Sequence, residues 1–325
     1  MNSSRLIHLT APAALLLLAS CDIQRSPAAP GLQAMSFANS AWSEPVNLGP
    51  VVNSSAADNN PTLSADELSL YFASDRPGGL GGTDIWVARR ASPDAPWGIP
   101  VHLGAPVSSP SADGGPVLSA DGHLLFIHSN RPGGYGANDI WVARRADPND
   151  DAGWEAPVNL GSDVNTPDEE QAPAYVQSEH GGTLYFNRGN QIVSQSDLYR
   201  AVVKHNGQTG GPGTAVTELN DPTASDAGST VRADGREILF STRAGGVGGT
   251  DIWVSTRQSV NDPWSAPVNW EGPPFNTAVA EQQPDLSHDG RTLLFSSNRP
   301  GGSGGNDIWM SRARRAGIRR RPSGH

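Results

Sequence analysis

Three sets of five charged residues recur along this chain at nearly fixed spacing. Asp58, Asp113, Glu170, Asp226 and Glu281 each stand three residues before a proline or its equivalent. Arg76, Arg131, Arg188, Arg243 and Arg299 follow them, and Asp84, Asp139, Asp197, Asp251 and Asp307 open the phrase Asp-Ile-Trp or a variant of it. Five carboxylates converging on one axis would favour a cation, because like charges held close raise one another's pKa unless something positive lies between them. The expected occupant is Ca²⁺, another cation, or a cationic group of a partner. Each arginine lies eight or nine residues before its Asp-Ile-Trp aspartate. A clasp across one loop, Arg76 with Asp84 and likewise in every copy, is therefore expected, with ligand binding as the arginines' alternative role.

Other chemistry has less support. The eight histidines include no His-x-x-x-His pair, and the single cysteine, Cys21, leaves too few ligands for zinc. No Gly-x-Ser-x-Gly elbow occurs. A glycosidase needs two carboxylates with different roles, and five near-equivalent acids do not supply that asymmetry. No catalytic residue is expected, and no cofactor beyond the possible Ca²⁺.

The elements that position these residues follow from the repeat. The Asp-Ile-Trp aspartates are 55, 58, 54 and 56 residues apart, a period that signifies a repeat architecture. Each copy contains four strand-like runs, the first two joined by a tight turn such as Ala120-Asp121-Gly122. Thirty-seven glycines and 27 prolines suit short strands and turns. Four antiparallel strands in about 55 residues describe a propeller blade, so the expected fold is an all-β, five-bladed propeller over residues 42–312. Trp42-Ser43-Glu44-Pro45-Val46-Asn47-Leu48-Gly49 reads as an outermost strand yet precedes the first innermost one, and the last copy lacks an outer strand. The N-terminal strand is thus expected to complete the last blade and hide its edges.

Two tryptophan series, Trp42, Trp97, Trp154, Trp264 and Trp86, Trp141, Trp253, Trp309, recur with the blades and are expected to pack between sheets. Trp270 belongs to neither and is the tryptophan singled out for a ligand. The Gly-Gly-x-Gly-Gly loops read as tight connections across one face, where partners commonly bind. In the third copy Asn187 to Ser196 replaces that loop and Glu169-Glu170-Gln171 replaces a single acid, which marks a sector for specificity.

The recurrent Pro-x-x-Ser-x-Asp-Gly, Phe-x-Ser-Asp-Arg and Asp-Ile-Trp pattern resembles the WD40-like (PD40) repeats of TolB-type propellers. With the Pro-Val-Asn-Leu-Gly outer strand it is similar to the propeller part of OmpA-family envelope lipoproteins. The resemblance implies the propeller fold and a binding platform rather than an activity, since a fold does not fix a function.

Residues 1–20 read as an export signal ending at a lipobox-like Leu18-Ala19-Ser20-Cys21, with Cys21 lipidated. Residues 21–41 would be a flexible tether and 313–325 a basic, disordered tail. The formal net charge is −10, and six arginines within residues 312–321 leave the body more acidic still, which argues against nucleic acid as a partner. The expected protein is a monomeric lipoprotein in the bacterial envelope, facing the periplasm from either membrane, whose propeller is a non-catalytic scaffold for an envelope protein or peptidoglycan. The alternatives are a carbohydrate-active enzyme using the acid ring and a purely structural envelope component.

Overall fold

The computed structural model describes residues 42–190, 195–241, 245–270 and 275–313. A two-residue strand, β1 (Val46–Asn47), comes first. Blade 1 then runs β2 (Asp58–Leu63), β3 (Ser69–Ser74), β4 (Asp84–Arg89) and β5 (Val101–His102), and blade 2 runs β6 (Asp113–Leu118), β7 (Leu124–Ser129), β8 (Asp139–Arg144) and β9 (Val158–Asn159). Blade 3 has longer strands, β10 (Glu169–Ser178), β11 (Gly181–Asn190) and β12 (Gln195–Val203), with β13 (Thr214–Ala215) outside them. Blade 4 is β14 (Ala227–Val231), β15 (Glu237–Ser241), β16 (Trp253–Thr256) and β17 (Val268–Asn269); blade 5 is β18 (Glu281–Leu286), β19 (Thr292–Ser297) and β20 (Asp307–Arg312). Strand β1 pairs with β20, Val46 opposite Met310, so all five sheets have four antiparallel strands and the first strand closes the ring.

The apolar core lies between the blades. Five buried clusters each join two neighbouring sheets; Tyr71, Ile85, Leu125, Ile127, Trp141 and Trp154, for example, fill the seam between blades 1 and 2. Three tryptophans of the first series carry an arginine over the ring, Arg90 on Trp97 at 4.2 Å, Arg145 on Trp154 at 4.3 Å and Arg257 on Trp264 at 4.1 Å. Trp270 stacks on Phe275 with ring centroids 3.9 Å apart and meets Trp42 edge-on, so it packs the seam between blades 4 and 5.

Every innermost strand breaks register at the same place, between Asn59 and Thr62 in blade 1 and at the matching residues of the other four. The residue at the break has positive φ: Asn60 at 49°, Gly115 at 57°, Ala172 at 46°, Gly228 at 58° and Gln283 at 54°. Such a bulge bends a strand and frees its N–H from the ladder. The freed groups bond across the seams, Asn60 N–H to Ser296 Oγ (3.2 Å), Ala172 N–H to His128 Nδ1 (3.4 Å) and Gln283 N–H to Ser241 Oγ (3.4 Å).

The glycine loops lie on the segment leading into the next blade. A Cβ on Gly81 would come within 2.0 Å of the Ser111 carbonyl oxygen, and one on Gly136 within 2.0 Å of that of Asp168. Backbone cannot give way as a flexible side chain can. Gly81→Ala is expected to cost about 1–3 kcal/mol by overpacking, whereas Gly82→Ala in the same loop, facing open space, should be near neutral in thermal unfolding.

Candidate functional site

The acids of the first set are wholly buried, each at 0% exposure. Asp58 Oδ2 accepts the N–H (2.6 Å) and hydroxyl (3.1 Å) of Ser54, while Oδ1 accepts Arg76 Nη2 at 2.5 Å. Asp113 has the same partners in Ser109 and Arg131, Glu170 in Thr166 and Arg188, and Glu281 in Thr277 and Arg299. Asp226 accepts the Asp221 N–H at 2.7 Å; Arg243 lies outside the described residues. The arginines also donate to backbone carbonyls, Arg76 to Val52 at 2.6 Å and Arg131 to Val107 at 2.5 Å. Burial pushes the Glu170 carboxyl upward, opposed by its hydroxyl, amide and guanidinium donors.

The expected pairing of arginine with the Asp-Ile-Trp aspartate is therefore corrected. The strand register puts Ser74, not Arg76, opposite both Asp58 and Asp84, and the arginine reaches back to the acid of its own innermost strand. Asp84 instead caps its glycine loop, accepting the N–H groups of Leu80 (2.8 Å) and Gly81 (3.1 Å). Asp139 and Asp307 do the same and also take Asn159 and Asn47 from the outermost strand, each at 2.8 Å; Asp251 takes Val247 and Asn269 likewise. Asp197 differs. Blade 3 has neither that glycine loop nor an asparagine on β13, so this half-buried carboxylate has no hydrogen bond among the described residues, and burial raises its pKa.

Each acid of the first set is held by partners in and next to its own blade, and no group of three or more His, Cys, Asp or Glu side chains among the described residues is placed to hold a metal. Cys21 lies outside the described residues.

Two other places on the axis bring functional groups together. On the glycine-loop face, a cavity of about 450 Å³ opens over blades 3, 4 and 5, lined by Glu169, Gln171, Asn187, Gln195, Gln282 and Gln283 with three serines. Glu169 Oε1 accepts Asn138 Nδ2 at 2.5 Å and Gln171 Nε2 at 2.6 Å. Much of this is the sector in which the repeat breaks down. Ala172, Gly228 and Gln283 line both this cavity and the channel below, so the two adjoin.

Within the channel stands Asp285, where blades 1 to 4 have Thr62, Val117, Ala174 and Thr230. Its carboxylate accepts Leu63 N–H at 3.1 Å and Thr62 Oγ1 at 3.3 Å across the seam between blades 5 and 1. Burial pushes its pKa up to about 7; the two donors pull the other way, and the nearby Glu67 charge adds to the rise. Reading the repeat for what its copies share passed over this residue. The available signal was an acid on an innermost strand where every other copy carries a small or apolar side chain. His128 plays a structural part: the glycines Gly114 and Gly115 make room for its ring, a Cβ on either falling within 2.6 Å of it. Burial lowers its pKa to about 4, which keeps Nδ1 free to accept the Ala172 N–H.

The architecture defines the class, a five-bladed β-propeller. No protein-family model matches the chain, and no curated protein matches its sequence. Solved structures do share the shape. A thermostable family-43 glycoside hydrolase superposes with a TM-score of 0.56 at 11% identity, over 81% of this chain and 91% of its own. An α-L-arabinofuranosidase from Lactobacillus brevis does so with a TM-score of 0.57 at 13% identity, over 82% and 92%. TolB from Acinetobacter baumannii gives 0.48 at 15% identity, over 81% of this chain and 56% of its own. The two glycoside hydrolase likenesses establish the fold. They count against the expected non-enzymatic scaffold, since both of those propellers, matched over 91% and 92% of their own length, are glycoside hydrolases.

Proposed function

We propose that this protein is a glycan-acting, glycoside-hydrolase-like propeller whose sugar site is the polar cavity on the glycine-loop face. The observation that carries the reading is asymmetry: one carboxylate, Glu169, in a wall of carboxamides and hydroxyls, above a second, Asp285, in the adjoining channel. Amide and hydroxyl side chains are suited to hydrogen-bonding sugar hydroxyls. Asp285, with a pKa near 7, can hold a proton at neutral pH and is assigned the general acid. Glu169 is assigned the second carboxylate, acting on the opposite side of the glycosidic bond. The buried acids Asp58 and Glu281 have no part in the chemistry.

The test is turnover on a panel of arabinosides, xylosides and peptidoglycan fragments, with Glu169→Gln and Asp285→Asn compared against the parent. Loss of activity in both variants with the fold retained is expected. A parent inert on the whole panel, or variants as active as the parent, would count against the reading.

The leader-like residues 1–20 and Cys21 support export and lipid anchoring, which would place envelope glycans within the enzyme's reach. The recurrent Asp-Ile-Trp pattern supports kinship with WD40-like TolB-type repeats. Release of Cys21→Ser from membranes on cell fractionation is the expected sign of the anchor, and unchanged membrane retention speaks against it.

A further inference from the structure

The propeller seams are alike enough that a group present in one and missing from another is informative. Between blades 1 and 2, the buried Tyr71 hydroxyl meets the buried Arg145 guanidinium (Nη1 to Oη, 3.2 Å), and the Asp151 carboxylate joins them. Asp151 Oδ1 accepts Arg145 Nη1 at 2.8 Å and the Tyr71 hydroxyl, and Oδ2 accepts Arg89 Nε at 2.6 Å.

Between blades 3 and 4 the same pair recurs. Tyr185 stands where Tyr71 does and Arg257 where Arg145 does; they are 1% and 8% exposed, with Arg257 Nη2 donating to Tyr185 Oη at 3.4 Å. Arg257 Nε donates to the Gly235 carbonyl at 2.7 Å, as Arg145 Nε does to that of Gly122 at 2.7 Å. The carboxylate alone is missing. The loop from Arg145 to Trp154 is two residues longer than that from Arg257 to Trp264, and Asp151 lies in the extra length. Among the described residues no carboxylate pairs with Arg257, and the Tyr185 hydroxyl donates to nothing.

That vacancy opens into a groove of about 1010 Å³ on the hairpin-turn face, opposite the cavity assigned to the proposed activity. Its walls include Gln177, Thr183, Thr214 and Asn261, and the exposed Arg200. Three acids also line it: Asp234, which pairs with Arg232 and Arg236, and the exposed Glu218 and Asp262, neither of which reaches Arg257. A buried guanidinium and a buried hydroxyl that both lack an anionic acceptor impose a cost that a ligand carboxylate would relieve. We propose that this groove binds a carboxylated sugar, a uronate, its carboxylate taking the place that Asp151 holds in the sibling seam. The polar walls supply donors and acceptors for the hydroxyls. The choice of a sugar rests on the glycan reading above; the carboxylate does not.

Calorimetric titration of the full chain with glucuronate and galacturonate tests this, with glucose, galactose and acetate as comparisons. Uronate binding at least about tenfold tighter than that of the neutral sugars is expected, lost in Arg257→Gln and weakened in Tyr185→Phe. Because Arg257 also packs on Trp264, a second variant guards against misfolding. Grafting the segment 150–153 in place of 262–263 supplies the missing carboxylate internally, and should raise the melting temperature while abolishing uronate binding. Uronate affinity unchanged by Arg257→Gln or by the graft overturns the proposal, as does a parent that binds no uronate. Acetate binding as tight as uronate overturns the choice of a sugar. Uronate binding without turnover on the glycan panel counts against the hydrolase reading alone, and turnover without uronate binding against this site alone.

Discussion

Arg76→Ala is expected to destabilise the propeller by about 3–5 kcal/mol, the cost of leaving a buried charge without its partner. Asp58 is fully buried and its Oδ1 has the guanidinium at 2.5 Å, while the same Nη2 holds the Val52 carbonyl at 2.6 Å. The alanine would orphan both acceptors and empty the space over Phe72 and Trp86, on whose rings the guanidinium lies at 4.8 and 5.2 Å. For a domain of this size the melting temperature should fall on the order of 10 °C. Adding Asp58→Asn should recover part of the loss, because the unpaired charge is then gone. A fall of less than about 1 kcal/mol in the single variant would mean the pair behaves as a solvated surface bridge.

Asp285→Asn is expected to have two opposite effects, a loss of about 10²–10⁴ in glycan turnover and a gain in stability at alkaline pH. The carboxyl's pKa is raised by burial from 3.8 to about 7, so between those values the folded chain holds a proton that the unfolded chain has released. Stability contributed by this group is therefore intact below about pH 4, falls as the pH rises toward 7, and stays reduced above it. Asparagine removes that penalty. The variant should melt above the parent at pH 8 by an amount worth on the order of 2–4 kcal/mol, and alongside it at pH 4. The parent's turnover should decline above about pH 7 as the proton is lost. Parallel melting curves at both pH values would show that Asp285 ionises freely, and undiminished turnover would remove it from the mechanism.

The blade count, the four strands per blade and the closure by β1 could be read from the spacing of Asp-Ile-Trp and the misplaced Val46-Asn47. Each is a local pattern written five times. The pairing of the charges was not legible in the same way. The arginine keeps a nearly constant distance in sequence from both acids in every copy, 18 residues from Asp58 and eight from Asp84 in the first, and only the hairpin register decides between them. The glycine loop presents the N–H groups of Leu80 and Gly81 to Asp84 Oδ2, and His102 Nε2 stands 3.5 Å from Oδ1, so this aspartate is held without the arginine. Asp285 was missed for a related reason: comparing the copies brings out what they share, whereas this acid stands out because its counterparts differ, and the departure at Glu169 was legible only as a break in the repeat. Trp270, chosen for falling outside the repeat, packs on Phe275.

Closure of the ring by β1 also carries a cost in time. Val46 must wait for Met310, 264 residues later, before its strand has a partner. At ribosomal speed that is roughly 13–50 s with the seam between the first and last blades unmade. For the export proposed from residues 1–20 such a delay would be an advantage, because the ring cannot shut until its last strand has been synthesised.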